Sequence, residues 1–98
     1  MGSRARGASA SPSSRGSALR VVLYRAAECG ACAAAELLLA ELADARAFDL
    51  SVIDIAGDAE LEDRYRLDLP VIEIDGEVAF TQAVDRASLV RRLAQATP

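Results

Sequence analysis

Cys29 and Cys32 are the only cysteines in the chain, and they close the stretch Tyr24-Arg-Ala-Ala-Glu-Cys-Gly-Ala-Cys32 as a Cys-x-x-Cys pair. Thiols at this spacing can exchange with a disulfide, bind a metal as thiolates, or sit inert. On the first turn of a helix, positions i and i+3 bring Cβ atoms within about 5 to 6 Å. A disulfide needs about 3.8 Å, so such a pair opens and closes with little backbone movement. As a staple it is poor, because closing a four-residue loop contributes only about 2 kcal/mol on a chain-entropy estimate. A zinc site needs four ligands. A chain with no His and no second Cys pair would have to recruit carboxylates or share four thiolates across a dimer. Redox exchange is the favoured chemistry, provided the pair sits between a strand and a helix of a βαβ unit.

In that setting the two sulfurs have different tasks. Cys29, at the N-terminal edge of the helix, meets unpaired backbone N–H groups and the positive end of the dipole, which favour thiolate over thiol. It is the candidate nucleophile, and Cys32, one turn inside, the candidate resolving thiol. Gly30 is expected to let the chain turn into the helix, and Ala31 leaves the sulfur uncovered. Arg25 would stabilise a Cys29 thiolate, whereas the adjacent Glu28 opposes it.

Composition narrows the setting. Ninety-eight residues make one domain at most. Residues 1 to 18, rich in Gly, Ser, Ala and Arg with Pro12, are expected to form a disordered tail, leaving 19 to 98 as the working domain. The formal charge of −4 conceals an asymmetry, since Arg4, Arg6, Arg15 and Arg20 face no acid in the first twenty residues. The remainder is acidic and poor in aromatics, which argues against a nucleic-acid surface. Absence of His removes the usual general base and pH switch. No stretch has the eighteen or more apolar residues of a membrane span, and the N-terminal arginines precede no h-region. The expected location is therefore the cytoplasm, where a close Cys pair is more often catalytic or metal-binding than structural.

The elements around the pair have the required order. Leu19 to Tyr24 is a short β-branched run typical of a strand buried on both faces. Ala33 to Ala47 follows as a helix, with Ala34, Leu37, Leu38, Leu42 and Ala45 marking an apolar stripe. Phe48 to Ile55 is apolar enough for an interior strand, and its separation from the first by a helix implies a parallel right-handed crossover. Asp58 can cap a short helix to about Arg66 with Leu61 and Tyr65 on one face. Pro70, on these grounds alone a trans proline opening an edge strand, leads into Val71 to Ile74. Asp75-Gly76 is a hairpin signal, and Glu77 to Phe80 returns antiparallel. Asp85 can cap a last helix from Arg86 to Gln95, with Leu89, Val90 and Leu93 inward and Arg91 and Arg92 suited to its C-terminal end.

From Arg20 to about Ala96 the chain resembles the glutaredoxin branch of the thioredoxin superfamily, in particular its small bacterial glutaredoxin-like members. Leu23-Tyr24, Cys29-Gly-Ala-Cys32, Val52-Ile-Asp-Ile55, Leu69-Pro70-Val71 with Asp75-Gly76, and Leu89 and Leu93 carry the resemblance. It implies an α/β fold of order β-α-β-α-β-β-α, a four-stranded mixed sheet with three flanking helices. It also implies that Pro70 is cis against the cysteines, and that the backbone of Leu69 pairs with a bound peptide or glutathione. Thioredoxins have Trp before the first Cys and a Cys-Gly-Pro-Cys motif, whereas Glu28 and Ala31 stand here. Typical glutaredoxins have Cys-Pro-Tyr-Cys, a nearby Lys and a Gly-Gly pair. Here Thr81-Gln82-Ala83-Val84 replaces the glycines, and Arg25 approximates the Lys as a candidate substrate-binding residue.

The expectation is a monomeric dithiol oxidoreductase acting on disulfide-containing protein or glutathione. It has no bound cofactor or metal, and glutathione or another thiol serves as reductant. The alternative is a thioredoxin-fold binding or adaptor module whose cysteines are unused. Asp54 invites comparison with the buried acid of thioredoxins but reads as a solvated strand-end acid. Tyr24 reads as packing, and Arg64 and Arg66 as a solvated helix face.

Overall fold

A computed structural model describes residues 19–46 and 48–96, so the expected tail and Ala47 lie outside the described residues. The elements run β1 (Arg20–Arg25), α1 (Gly30–Arg46), β2 (Asp49–Asp54), α2 (Ala59–Tyr65), β3 (Val71–Ile74), β4 (Glu77–Thr81) and α3 (Arg86–Ala96). They form the thioredoxin-like order β-α-β-α-β-β-α around one mixed sheet, β2-β1-β3-β4. β1 and β2 are parallel, with Leu23 opposite Val52 and Arg25 opposite Asp54. β1 and β3 are antiparallel, with Tyr24 opposite Val71. The C-terminal end of β1, which feeds the cysteine loop, therefore lies beside the start of β3, which follows Pro70.

Because strand side chains alternate between faces, Val21 and Leu23 of β1 share one face with Ile72 and Ile74 of β3. That face packs on Ala35, Leu39 and Leu42 of α1 and Leu89 and Leu93 of α3, making the principal core. Val22, Tyr24 and Glu73 point to the other face, where the short α2 brings Tyr65 against Tyr24 with ring centroids 4.7 Å apart. Asp58 caps α2 by accepting from Leu61 N–H at 3.1 Å. Asp85 caps α3 by accepting from Ser88 N–H at 3.0 Å, a bond that holds the Asp85 carboxyl below its ordinary range.

Four expectations need correction. The buried stripe of α1 is Cys32, Ala35, Leu39 and Leu42, while Leu37 is 71% exposed. Burial of Cys32 sets the helix rotation, and the stripe continues from it at three- and four-residue spacing. β2 is an edge strand, with an exposed Val52, because the β3–β4 hairpin takes the other side of β1. β1 is sealed on its core face only, Val22 and Tyr24 being half-buried under the short α2. Arg91 and Arg92 lie mid-helix, since α3 continues to Ala96, and Arg92 pairs with Glu77 at 3.8 Å.

Candidate active site

The cysteine loop leaves β1 after Arg25 and turns back within three residues, Cys29 N–H donating to Ala26 C=O at 3.3 Å. α1 begins at Gly30, so Cys29 is its N-cap: its C=O accepts the first helical bond, from Ala33 N–H at 3.2 Å. Its sulfur accepts the Cys32 N–H at 3.1 Å, the bond that a Ser or Asp oxygen makes at an ordinary N-cap. Cys29 and Cys32 are joined as a disulfide with Cα atoms 5.2 Å apart. Cys32 is completely buried and Cys29 half-buried. Gly30 is not needed for the turn, because it has no positive φ and a Cβ there would meet nothing within 4 Å.

The Leu69–Pro70 peptide bond is cis, Pro70 is buried and Leu69 half-buried. Neither the N–H nor the C=O of Leu69 has a hydrogen-bond partner among the described residues. The turn is tied down from β4: Gln82 N–H is shared between Asp68 C=O at 2.9 Å and Pro70 C=O at 3.0 Å. Gln82 reaches both with a φ of 72°, a left-handed conformation unusual for a side chain with a Cβ. Reading residues alone misses this role, since Thr81-Gln82-Ala83-Val84 has no Gly or Asn to signal a positive φ.

Arg25 points to the α1 face of the sheet. Its Nε lies 3.2 Å from Glu36 Oε1, close as an ion pair but off hydrogen-bond alignment, and its NH1 lies 3.7 Å from Asp54 Oδ2. Asp54 is a partly solvated strand-end acid that also accepts from Ala56 N–H at 2.9 Å. The guanidinium is thus flanked by two carboxylates, and Glu28 stands exposed beside Cys29.

On the opposite face, Tyr24 and Tyr65 donate their hydroxyls to the two oxygens of Glu73, at 3.4 and 3.1 Å. Burial, followed by the Glu73 charge, raises the Tyr24 pKa above its ordinary 10.0. This clasp joins β1, β3 and the end of α2, and so fixes the segment that descends to Leu69. Arg64 pairs with Glu60 at 3.6 Å and lies 5.8 Å from the Tyr65 ring centroid.

Between the cysteine loop and α2 opens a cavity of about 500 Å3. Ala26, Ile55, Ala56, Ala59 and Leu69 give it an apolar part of its lining, and Glu62, Asp63 and Arg66 a charged part. It touches both Ala26, whose C=O anchors Cys29, and Leu69, which precedes the cis proline. Among the described residues no three His, Cys, Asp or Glu side chains converge as a metal-binding group. No helix among them is long and apolar enough to cross a membrane.

Residues 20–94 match the family model described as Glutaredoxin-like domain (DUF836). The structure is similar to that of target protein XcR50 from X. campestris, at 32% identity and a TM-score of 0.63, over 80% of this chain and 99% of that one. It is also similar to protein Ne2328 from Nitrosomonas europaea, at 22% identity and 0.64, over 76% and 91%. For oxidised thioredoxin from Plasmodium falciparum the values are 15% and 0.60, over 82% of each chain. The last two likenesses establish the fold alone. No curated protein matches the sequence. The family match over most of the chain, with a Cys-x-x-Cys disulfide on a thioredoxin-like sheet, assigns the chain to the glutaredoxin-like (DUF836) family of the thioredoxin superfamily.

Proposed function

We propose that the protein is a thiol-disulfide oxidoreductase in which Cys29 attacks and Cys32 resolves. The observation that carries this is the asymmetry of the pair: the Cys29 sulfur receives a backbone N–H at the helix N-terminus, while Cys32 is fully buried behind it. Charge on a Cys29 thiolate gains from that N–H and from the helix dipole. The thiolate attacks one sulfur of a substrate disulfide, forming a mixed disulfide and releasing the other as thiolate. Cys32, deprotonated, then attacks the Cys29 sulfur and releases the second substrate thiolate. Two electrons leave the dithiol, and the Cys29–Cys32 disulfide forms. A thiol reductant, glutathione or a dithiol protein, returns them in the reverse exchange.

In this reading the N–H and C=O of Leu69, without a partner among the described residues, pair with an extended segment of the substrate, as added strands do elsewhere, and the bonds from Gln82 N–H steady that edge. Arg25, shared between Glu36 and Asp54, contributes little free positive charge to the bound substrate. This reading assigns the protein to the cytoplasm, acting as a monomer on protein or glutathione disulfides without a resident cofactor or metal.

The test is a Cys32→Ser variant exposed to oxidising challenge, with adducts on Cys29 identified by mass spectrometry. A specific protein on Cys29 supports the reading and names the pathway, and glutathione alone supports a glutaredoxin reaction. No adduct at all would favour the adaptor module.

A further inference from the structure

We infer that the cavity between the cysteine loop and α2, lined by Ala26 and Leu69, selects cationic substrates: it takes a Lys or Arg side chain from the segment flanking a protein disulfide. This rests on the redox reading above and adds the substrate class.

Part of the cavity lining is apolar, from Ala26, Ile55, Ala59 and Leu69. Such a surface accommodates the aliphatic stem of a long basic side chain whose charged head stays at the rim. Glu62 and Asp63 also line the cavity, exposed and with no partner for either carboxylate among the described residues. Arg66 shares the lining and offsets one of them, so the cavity keeps a surplus negative charge.

The surroundings deepen the surplus. Along α2 and its flanks, Asp58, Glu60, Glu62, Asp63 and Asp68 outnumber Arg64 and Arg66, and Arg64 is already paired with Glu60. Across the motif, Arg25 is held by Glu36 and Asp54, and Glu28 adds an exposed acid next to Cys29. Like charges focused around a cleft raise the local concentration of an oppositely charged partner and repel one of the same sign. A free glutathione disulfide, whose carboxylates outnumber its amines, approaches against this field, and a basic protein segment approaches with it.

The full chain, fully reduced beforehand, serves as stoichiometric reductant in single turnovers. Two peptides carry the same internal disulfide, flanked by arginines in one and glutamates in the other. A neutral hydroxyethyl disulfide reports on exchange alone. The arginine peptide should be reduced about tenfold faster or more at low ionic strength, and added salt should erode the ratio. The ratio should shrink severalfold in Glu62→Gln/Asp63→Asn, the remaining acids of α2 and Glu28 keeping part of it. Equal rates for the two peptides, a ratio indifferent to salt, or an undiminished ratio in the double variant would overturn the inference while leaving the redox reading intact. Failure of the wild type to reduce any of the three disulfides would overturn both.

Discussion

The sulfur of Cys29 caps α1 by accepting the Cys32 N–H at 3.1 Å. The two cysteines are therefore linked twice, once through their sulfurs and once through a bond from the backbone of one to the side chain of the other. The second link is the side-chain bond of an N-cap, made here by a sulfur in place of the usual oxygen. A single helical turn thus holds both cysteines, the disulfide between them and the backbone bond to the Cys29 sulfur.

The rotation of α1 can be checked with two leucines. Leu39 is completely buried and Leu37 is 71% exposed. Leu39→Ala should lower stability by about 2 to 5 kcal/mol, as for other buried leucines. Leu37→Ala should change it by no more than about 0.5 kcal/mol. Urea midpoints of the two variants decide it; a Leu37 effect as large as that of Leu39 would mean the stripe is misplaced.

Gln82 holds the cis-proline turn at a φ of 72°. A left-handed residue with a Cβ pays about 1 to 2 kcal/mol, and Gly removes that strain at a smaller cost in unfolded-chain entropy, about 0.5 to 1 kcal/mol. Gln82→Gly should therefore be more stable by about 0.5 to 1 kcal/mol, and Gln82→Val less stable, in thermal or urea unfolding.

Burial and then Glu73 raise the Tyr24 pKa above 10.0. Tyrosine is neutral when protonated, so a raised folded-state pKa means that the native protein holds this proton more tightly than the unfolded chain. The resulting stability is fully present below 10.0 and is lost as pH rises through the folded-state value. Tyr24→Phe should flatten that part of the alkaline limb. At neutral pH it should cost no more than about 1 kcal/mol, since Tyr65 still donates to Glu73. Urea midpoints followed from neutral pH to above 10.0 test this, and an alkaline limb unchanged in the variant would contradict it.

Much of this arrangement was legible in the sequence because its signals are local. Cys29 and Cys32 between an apolar run and an Ala/Leu-rich segment, Asp58 and Asp85 ahead of helices, and Asp75-Gly76 each act over a few residues. The order of elements followed from them. What stayed hidden depends on contacts between distant segments. Val52 looked internal because composition cannot say which side of β1 the β3–β4 hairpin takes. Leu37 looked buried because Ala and Leu crowd all sides of α1 and several stripes fit. The bond from Gln82 to the proline turn and the clasp of Tyr24 and Tyr65 on Glu73 span separate elements and left no local pattern. Cis geometry at Pro70 was suggested by family resemblance, not by the residues around it.

The central claim, that Cys29 is the attacking thiolate, is tested most directly by alkylating the reduced protein with iodoacetamide across pH and locating the label by mass spectrometry. Cys29 should be modified first, with a rate midpoint below the free-cysteine value of about 8.5, and buried Cys32 should react far more slowly. Preferential modification of Cys32, or a Cys29 midpoint at or above the free value, would contradict the account.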